Sequence, residues 1–211
     1  MTLTYKTEDK IEKVILIAID FDDSKSDINM NLEELAELAK TSGAEVVGIL
    51  TQKRNSVNNA HYFGKGKIEE LKNLILELNA TSVICDDELT STQLKNLSDM
   101  LDIKIIDRTL LILDIFAKHA NSSEGKVQVE LAQLKYRLSH LSGIGSSMSR
   151  LGGGIGSKGP GEKKLELDRR HIKDRISELN KELQEIETHR NLLREKRTKN
   201  SIPIVSLIGY T

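Results

Sequence analysis

The chain has 211 residues, of which 38% are hydrophobic, 30% charged and only 3% aromatic, and it contains two prolines. This length accommodates one or two small domains, and the composition favours helices over a β-sandwich, a collagen or a proline-rich linker. The one cysteine, Cys85, excludes an internal disulfide framework. Because the chain does not open with a signal sequence and no apolar run reaches about 18 residues, we expect a cytoplasmic protein without a membrane span.

The near-neutral charge of −1 conceals two halves of opposite sign. Residues 1–117 contain 13 basic and 21 acidic residues, whereas residues 118–199 contain 18 basic and 11 acidic residues. A basic half can bind a polyanion while an acidic half is repelled by it. The charge pattern therefore favours a polyanionic partner for the second half.

Residues 1–108 are predicted to form a small α/β domain with a parallel sheet. Apolar runs rich in β-branched residues have the length of buried strands, and helical patterns separate them. Alternating elements joined by short links give parallel strands and right-handed crossovers. The predicted strands are 13–19, 44–51, 81–85 and 103–106, and the helices are one capped by Asn31 and two at 67–79 and 90–101.

A loop rich in glycine and lysine precedes the second predicted helix. Gly64 and Gly66 leave backbone N–H groups free at the start of that helix, and Lys65 and Lys67 add positive charge. The loop can therefore hold an anion such as a nucleotide phosphate. A tight turn with solvated lysines is the alternative, and the GxxxxGK[ST] spacing of a Walker loop is absent from this segment.

An acidic cluster, Asp86, Asp87 and Glu88, follows the third predicted strand, at the edge where open α/β sheets bind ligands. Three carboxylates can bind a metal ion, but such a cluster more often caps the next helix and faces water. No metal site is therefore predicted. Cys85, which precedes the cluster, is interpreted as a small core residue.

Residues 109–200 are predicted to form a long helical hairpin. An apolar cluster at 110–116 predicts a short helix that docks the hairpin onto the sheet domain. Two apolar seams with 4-3-4-3 spacing follow, and two such helices can bury their stripes against each other as an antiparallel coiled coil. The seams comprise Val127, Leu131, Leu134, Leu138 and Leu141 in the first helix and Leu165, Ile172, Ile176, Leu179, Leu183, Ile186 and Leu193 in the second.

The loop between the seams, residues 143–161, contains eight of the 14 glycines. Ordering glycines costs conformational entropy, and a helical hairpin turns within about 2–8 residues. A longer loop of this composition is expected to be functional, with a flexible linker as the alternative. Small residues let the backbone approach an irregular surface, and the cations Arg150, Lys158, Lys163 and Lys164 favour phosphates, so RNA is the predicted partner.

Residues 201–211 are similar to the opening of a phosphate-binding loop. The apolar residues 204–208 predict a strand, and Gly209 follows it as the nucleotide-binding candidate of this segment. The lysine and the serine or threonine that complete a P-loop are absent from the chain. This loop is therefore predicted not to grip phosphate or Mg²⁺ by itself.

Together, these segments resemble HflX, a family of ribosome-associated GTPases. The similar stretches are AELAKTSGAEVVG, FGKGKIEEL, DRTLLILDIFAKHANSSEGKVQVELAQLKYRL, GGGIGSKGPGEKKLELDRR and VSLIGYT. The resemblance implies an N-terminal α/β subdomain, a two-helix hairpin with a glycine-rich tip, and a Ras-like GTPase domain of which residues 201–211 are the start.

The same resemblance implies binding to the large ribosomal subunit and its rRNA, with the tip reaching towards the peptidyl-transferase centre. The GTP-bound family members split stalled or idle ribosomes in stress, and their GTPase domain holds GTP and Mg²⁺, whereas no cofactor is expected in this chain. Binding of ATP or GTP by the N-terminal part is also attributed to some members. The implied RNA-binding residues are Arg150, Gly152, Gly153, Gly154, Lys158, Gly159, Gly161, Lys163, Lys164, Arg169 and Arg170.

The chain departs from the family pattern at the tip. The family's RGPGET is present as KGPGEK, so Lys158 replaces an arginine and Lys163 replaces a threonine. Lysine keeps the charge of arginine but loses the planar fork that binds phosphate through two hydrogen bonds. Two alternatives to RNA binding stay open, namely nucleotide binding at residues 64–67 and pairing of two copies through the hairpin, although a monomer is expected.

Overall fold

The computed structural model describes residues 11–21, 27–151, 160–199 and 205, and it describes only the backbone of residues 142–151 and 160–164. Six predicted site residues lie outside the described residues: Gly152, Gly153, Gly154, Lys158, Gly159 and Gly209. Four more, Arg150, Gly161, Lys163 and Lys164, are placed by their backbone alone.

The described part of the chain contains a four-stranded parallel sheet and six helices, which confirms the predicted α/β class. The strand order is β2-β1-β3-β4, so that β1 lies inside the sheet and β2 at one edge. The strands are β1 (Lys13–Asp20), β2 (Glu45–Lys53), β3 (Ser82–Cys85) and β4 (Lys104–Asp107). The helices are α1 (Ile28–Thr41), α2 (Lys65–Leu78), α3 (Ser91–Leu101), α4 (Arg108–His119), α5 (Ser123–Leu151) and α6 (Pro160–Lys199).

Both faces of the sheet are covered, which explains the continuous apolar run of β1. Ile15, Ile17 and Ile19 point into the core formed with α2 and α3, while Val14 and Leu16 point into the core formed with α1 and α4. A strand buried on both faces carries apolar residues on both sides, so polar and apolar residues do not alternate along it. The burial of β1 therefore fixes the sheet at the centre of the α/β domain.

Side-chain caps mark the starts of α1 and α3. The prediction that Asn31 caps α1 is wrong, because the N-cap is Asp27, whose Oδ1 accepts a hydrogen bond from the backbone N–H of Asn29 at 2.9 Å. An aspartate with extended backbone outcompetes an asparagine that already lies within the helix. The predicted start of α3 is close to the observed one, where Thr90 forms a capping box with Gln93.

Helices α5 and α6 pack against each other through a small core of their own. Val127, Leu131 and Leu179 are buried there, with Leu134, Ile176 and Leu183 packed around them. Glu124 near the start of α5 pairs with Arg190 near the end of α6, so the two helices run antiparallel. Detailed coiled-coil packing stays a prediction.

Both helices extend into the range that the sequence assigned to the glycine-rich loop. α5 continues to Leu151 through Gly143 and Gly145, and α6 already begins at Pro160. A glycine costs a helix only about 1 kcal/mol relative to alanine, so a long helix propagates through isolated glycines. Proline is favoured at the first helical position, because the backbone N–H group that it lacks would have no hydrogen-bond partner within the helix there.

Candidate functional site

The carboxyl edge of the sheet, where open α/β folds usually bind a ligand, is occupied by α5. Asp107 at the end of β4 is fully buried. Its Oδ2 accepts hydrogen bonds from the Tyr136 hydroxyl of α5 at 2.7 Å and from the Leu89 backbone N–H at 3.3 Å. Its Oδ1 caps α4 by accepting from the Leu110 N–H at 2.9 Å. One carboxylate thus connects three elements to the end of β4.

Two further α5 side chains extend this attachment, which together with Asp107 and Tyr136 is called the docking network. His140 places its Nε2 2.9 Å from the Leu89 carbonyl oxygen, and its ring lies 4.1 Å from the Tyr136 ring between centroids. Gln133 donates to Asp114 of α4 at 3.3 Å. These contacts could not be predicted from sequence patterns, because their partners are separated by 19 to 51 residues.

A second buried tyrosine organises the neighbouring part of the edge. The Tyr62 hydroxyl donates to Asp87 Oδ2 at 2.6 Å and accepts from the Ile19 N–H at 3.0 Å. Burial raises the pKa of the Tyr62 phenol far above its usual range, and the neighbouring Cys85 and Asp87 side chains add to the shift. Burial likewise raises the pKa of the Cys85 thiol, so this cysteine is an unreactive core residue, as predicted.

The acidic cluster is divided among different partners. Asp87 accepts the Tyr62 hydroxyl, whereas Asp86 lies 3.4 Å from the Arg108 guanidinium, and Arg108 also pairs with Glu34 at 2.6 Å. Burial raises the pKa of Asp86, although Arg108 opposes the shift. Among the residues with described side chains, no group of three or more His, Cys, Asp or Glu residues is arranged to hold a metal ion.

The predicted phosphate loop forms the start of α2 and uses two of its donors internally. Gly64 is the N-cap residue, and its N–H donates to Gln52 Oε1 at 2.9 Å. Lys67 Nζ pairs with Glu70 at 2.9 Å. Of the loop residues 64–67, Lys65 and Gly66 are exposed in the first turn of α2. These two residues remain available to bind an anion.

Sequence reasoning missed Arg54, which lies beside this loop. Its Nη1 is buried without a hydrogen-bond partner, and it lies 3.9 Å from the position that a Cβ on Gly64 would occupy. Arg54 directly follows β2, at the carboxyl edge of the sheet, and that position is the signal from which it could have been found.

The predicted RNA-binding residues that the structure describes gather at one end of the hairpin. Arg150 lies in the last turn of α5, and Lys163 and Lys164 lie near the start of α6. Arg170 is exposed, whereas Arg169 is half-buried with its Nε unpaired. Because the helices are antiparallel, these residues share the end that points away from the Glu124–Arg190 pair.

Comparisons with known proteins cover both parts of this architecture. Residues 29–117 match the family GTP-binding GTPase N-terminal, and residues 119–197 match the GTP-binding GTPase Middle Region. A GTPase HflX from Caldanaerobacter subterraneus subsp. tengcongensis is 60% identical over 200 residues, which are 95% of this chain and 46% of that protein. The GTPase HflX of Escherichia coli is 38% identical over the same shares of the two chains.

Two solved structures have a similar fold. The GDP complex of SsGBP is 26% identical and superposes with a TM-score of 0.64 over 86% of this chain and 46% of that chain. A GTP-binding protein from the archaeon Sulfolobus solfataricus, also with GDP, is 27% identical with a TM-score of 0.58, covering 84% of this chain and 46% of that chain.

The sheet domain and the attached helices therefore define the N-terminal and middle regions of a GTP-binding GTPase. More particularly, the chain belongs to the HflX family of GTPases. It spans about half the length of the curated relatives it matches. No helix in the described ranges has the length and apolar character needed to cross a membrane.

Tyr62 should make the protein sensitive to alkaline pH. The folded state retains the phenol proton, because burial raises this pKa, while the unfolded chain releases it near pH 10. The stability contribution is complete below pH 10 and falls by about 1.4 kcal/mol per pH unit above it. Tyr62→Phe should be about 1.5–3 kcal/mol less stable at pH 8 but should lose stability less steeply between pH 10 and pH 12, as urea unfolding measures. Identical slopes would contradict this assignment.

Proposed function

We propose that this chain is the ribosome-binding region of an HflX GTPase that binds the large ribosomal subunit in the cytoplasm and splits ribosomes under stress. The single observation that carries the proposal is the basic end of the hairpin, held on two long helices. Residues 150–170 contain six lysines and arginines against three acidic residues. Cations at this density favour the phosphates of rRNA.

The dipole of α6 adds to the attraction of this end of the hairpin for RNA phosphates. The N-terminus of α6 carries the positive end of the helix dipole, which adds to the charges of Lys163 and Lys164 near it. RNA helices are recognised through shape, phosphates and 2′-hydroxyls. The glycines of the tip would allow close approach of the backbone to such a surface.

The docking network supports a mechanical role for the hairpin. Tyr136 and His140 fix the middle of α5 to the sheet domain, and α5 continues for eleven residues beyond His140, or about 16 Å. A helix held in this way transmits force between its tip and the sheet domain. In the whole protein, GTP and Mg²⁺ bound by the GTPase domain would supply the switch that drives splitting.

Reversing the charge of the tip should abolish binding to the large subunit. Lys158→Glu, Lys163→Glu and Lys164→Glu in combination replace three phosphate-attracting charges with repelling ones, so affinity at about 100 mM salt should fall by at least 100-fold. Cosedimentation with purified large subunits over a range of salt concentrations measures this.

The matched control makes the same charge reversal elsewhere on the protein. Lys40→Glu, Lys72→Glu and Lys181→Glu alter exposed lysines on α1, α2 and the middle of α6, and binding should stay close to that of the unaltered chain. Equal affinity of the tip variant and the unaltered chain would refute the proposed contact.

Nucleotide binding at the start of α2 is a second candidate function, favoured by Arg54. Its guanidinium has a buried, unpaired Nη1 close to Gly64, and Lys65 and Gly66 lie exposed in the same first helical turn. A phosphate of ATP or GTP would pair with Arg54 and Lys65 and accept hydrogen bonds from the free N–H groups of the helix.

Calorimetry with ATP and GTP tests the second candidate. We expect a dissociation constant below about 1 mM, weakened at least tenfold by Arg54→Ala and by Lys65→Ala, because each removes a charge that pairs with phosphate. Lys72→Ala, which removes an exposed lysine of the same helix, should change nothing. The absence of binding at millimolar nucleotide would leave RNA binding as the one proposed role.

A further inference from the structure

The charges of α6 are segregated along its length in a way that the tip does not explain. Residues 178–187 contain four glutamates and a single lysine, whereas residues 190–199 contain five basic residues and a single glutamate. α6 therefore has an acidic middle and a second basic segment far from the tip. The basic segment comprises Arg190, Arg194, Lys196, Arg197 and Lys199.

The side of α6 that faces α5 changes from apolar to basic residues near the point where α5 begins. Leu179 and Leu183 lie on this face. Helical spacing continues it through Ile186, Arg190, Arg194 and Arg197. Arg190 pairs with Glu124 in the first turn of α5. Arg194 and Arg197 lie beyond the start of α5, and both are exposed.

These two arginines carry charges that no described carboxylate pairs with. The ion pairs of α6 among the described residues involve Arg175 and Arg190, and Arg197 makes only a long contact of 3.4 Å to the Leu193 carbonyl oxygen. Cations in a last helical turn stabilise the helix dipole. That effect accounts for Lys196, Arg197 and Lys199, which lie in the last turn of α6, but it does not account for Arg194 and Arg190, which extend the row of arginines back along the side of α6 that faces α5.

We propose that the end of α6, through Arg194 and Arg197, is a second RNA-phosphate contact. The inference rests on the proposed function, because it assigns a further contact to the same RNA partner. Arg197 lies 27 residues from Arg170, or about 40 Å along the helix, so α6 touches RNA at two separated points and holds its acidic middle away from the phosphates. Arginine suits this role because its planar fork binds phosphate through two hydrogen bonds.

The composition of this segment favours RNA over the other anionic partners. A helix that lies on an anionic membrane needs a broad apolar face with aromatic residues, whereas only Leu192 and Leu193 are exposed apolar residues here. The acidic residues 178–187 would also be repelled by a continuous anionic surface, while an RNA with separated phosphate ridges can avoid them.

The test is a salt titration of the 211-residue chain with purified large ribosomal subunits. Arg194→Gln combined with Arg197→Gln should reduce the slope of log affinity against log salt by about two, one for each lost phosphate contact, and should weaken binding at about 100 mM salt roughly tenfold. Lys72→Gln combined with Lys181→Gln removes the same charge and should leave both quantities unchanged.

The possible outcomes separate this inference from the function it rests on. If the unaltered chain binds and the arginine variant keeps its slope, the second contact is refuted while the tip contact stands. If the unaltered chain does not bind, the proposed function itself fails. If the variant loses binding to phosphatidylserine vesicles but keeps its affinity for large subunits, a membrane takes the place of RNA and the inference is overturned. Circular dichroism at 222 nm verifies that the variant keeps its helices.

Discussion

The buried carboxylate of Asp107 is the interaction on which the arrangement of the two parts depends. It receives donors from the β3–α3 connection, from the first turn of α4 and from Tyr136 of α5. A carboxylate with no exposed surface is costly unless hydrogen bonds replace its hydration. Asp107 therefore requires α5 to lie against the carboxyl edge of the sheet, and the position of α5 in turn directs α6.

The position of α5 also affects the edge of the sheet at which open α/β folds usually bind a ligand. The carboxyl edge of such a sheet usually receives a ligand, but here Tyr136 and His140 of α5 attach to it beside β3 and β4. The surfaces proposed for partners are the start of α2 with Arg54 and the two ends of the helical hairpin. The two halves of the chain also differ in charge, since residues 1–117 are acidic overall and residues 118–199 are basic, and the proposed RNA contacts all lie in the basic half.

The sheet was predictable because its signal is local: β1 is a continuous apolar run, and such a run with short links to helices leaves few topologies. The docking network was not, because Tyr136 and His140 look like ordinary helix residues until their distant partners are known. The predicted start of α1 was wrong because Asp27, and not Asn31, caps this helix. The predicted tip loop was too long because α5 continues through Gly143 and Gly145. Arg54 was missed because its one signal is its position directly after β2, and no motif surrounds it.

A double-mutant cycle on Asp107 and Tyr136 tests most directly whether one hydrogen bond joins the hairpin to the sheet domain. The free energies of unfolding of Asp107→Asn, Tyr136→Phe and the double variant give the coupling energy between the two side chains. A coupling of about 1–3 kcal/mol is predicted, because the bond links a hydroxyl to a buried carboxylate. Additive effects, with a coupling below about 0.3 kcal/mol, would show that α5 is not held by this contact.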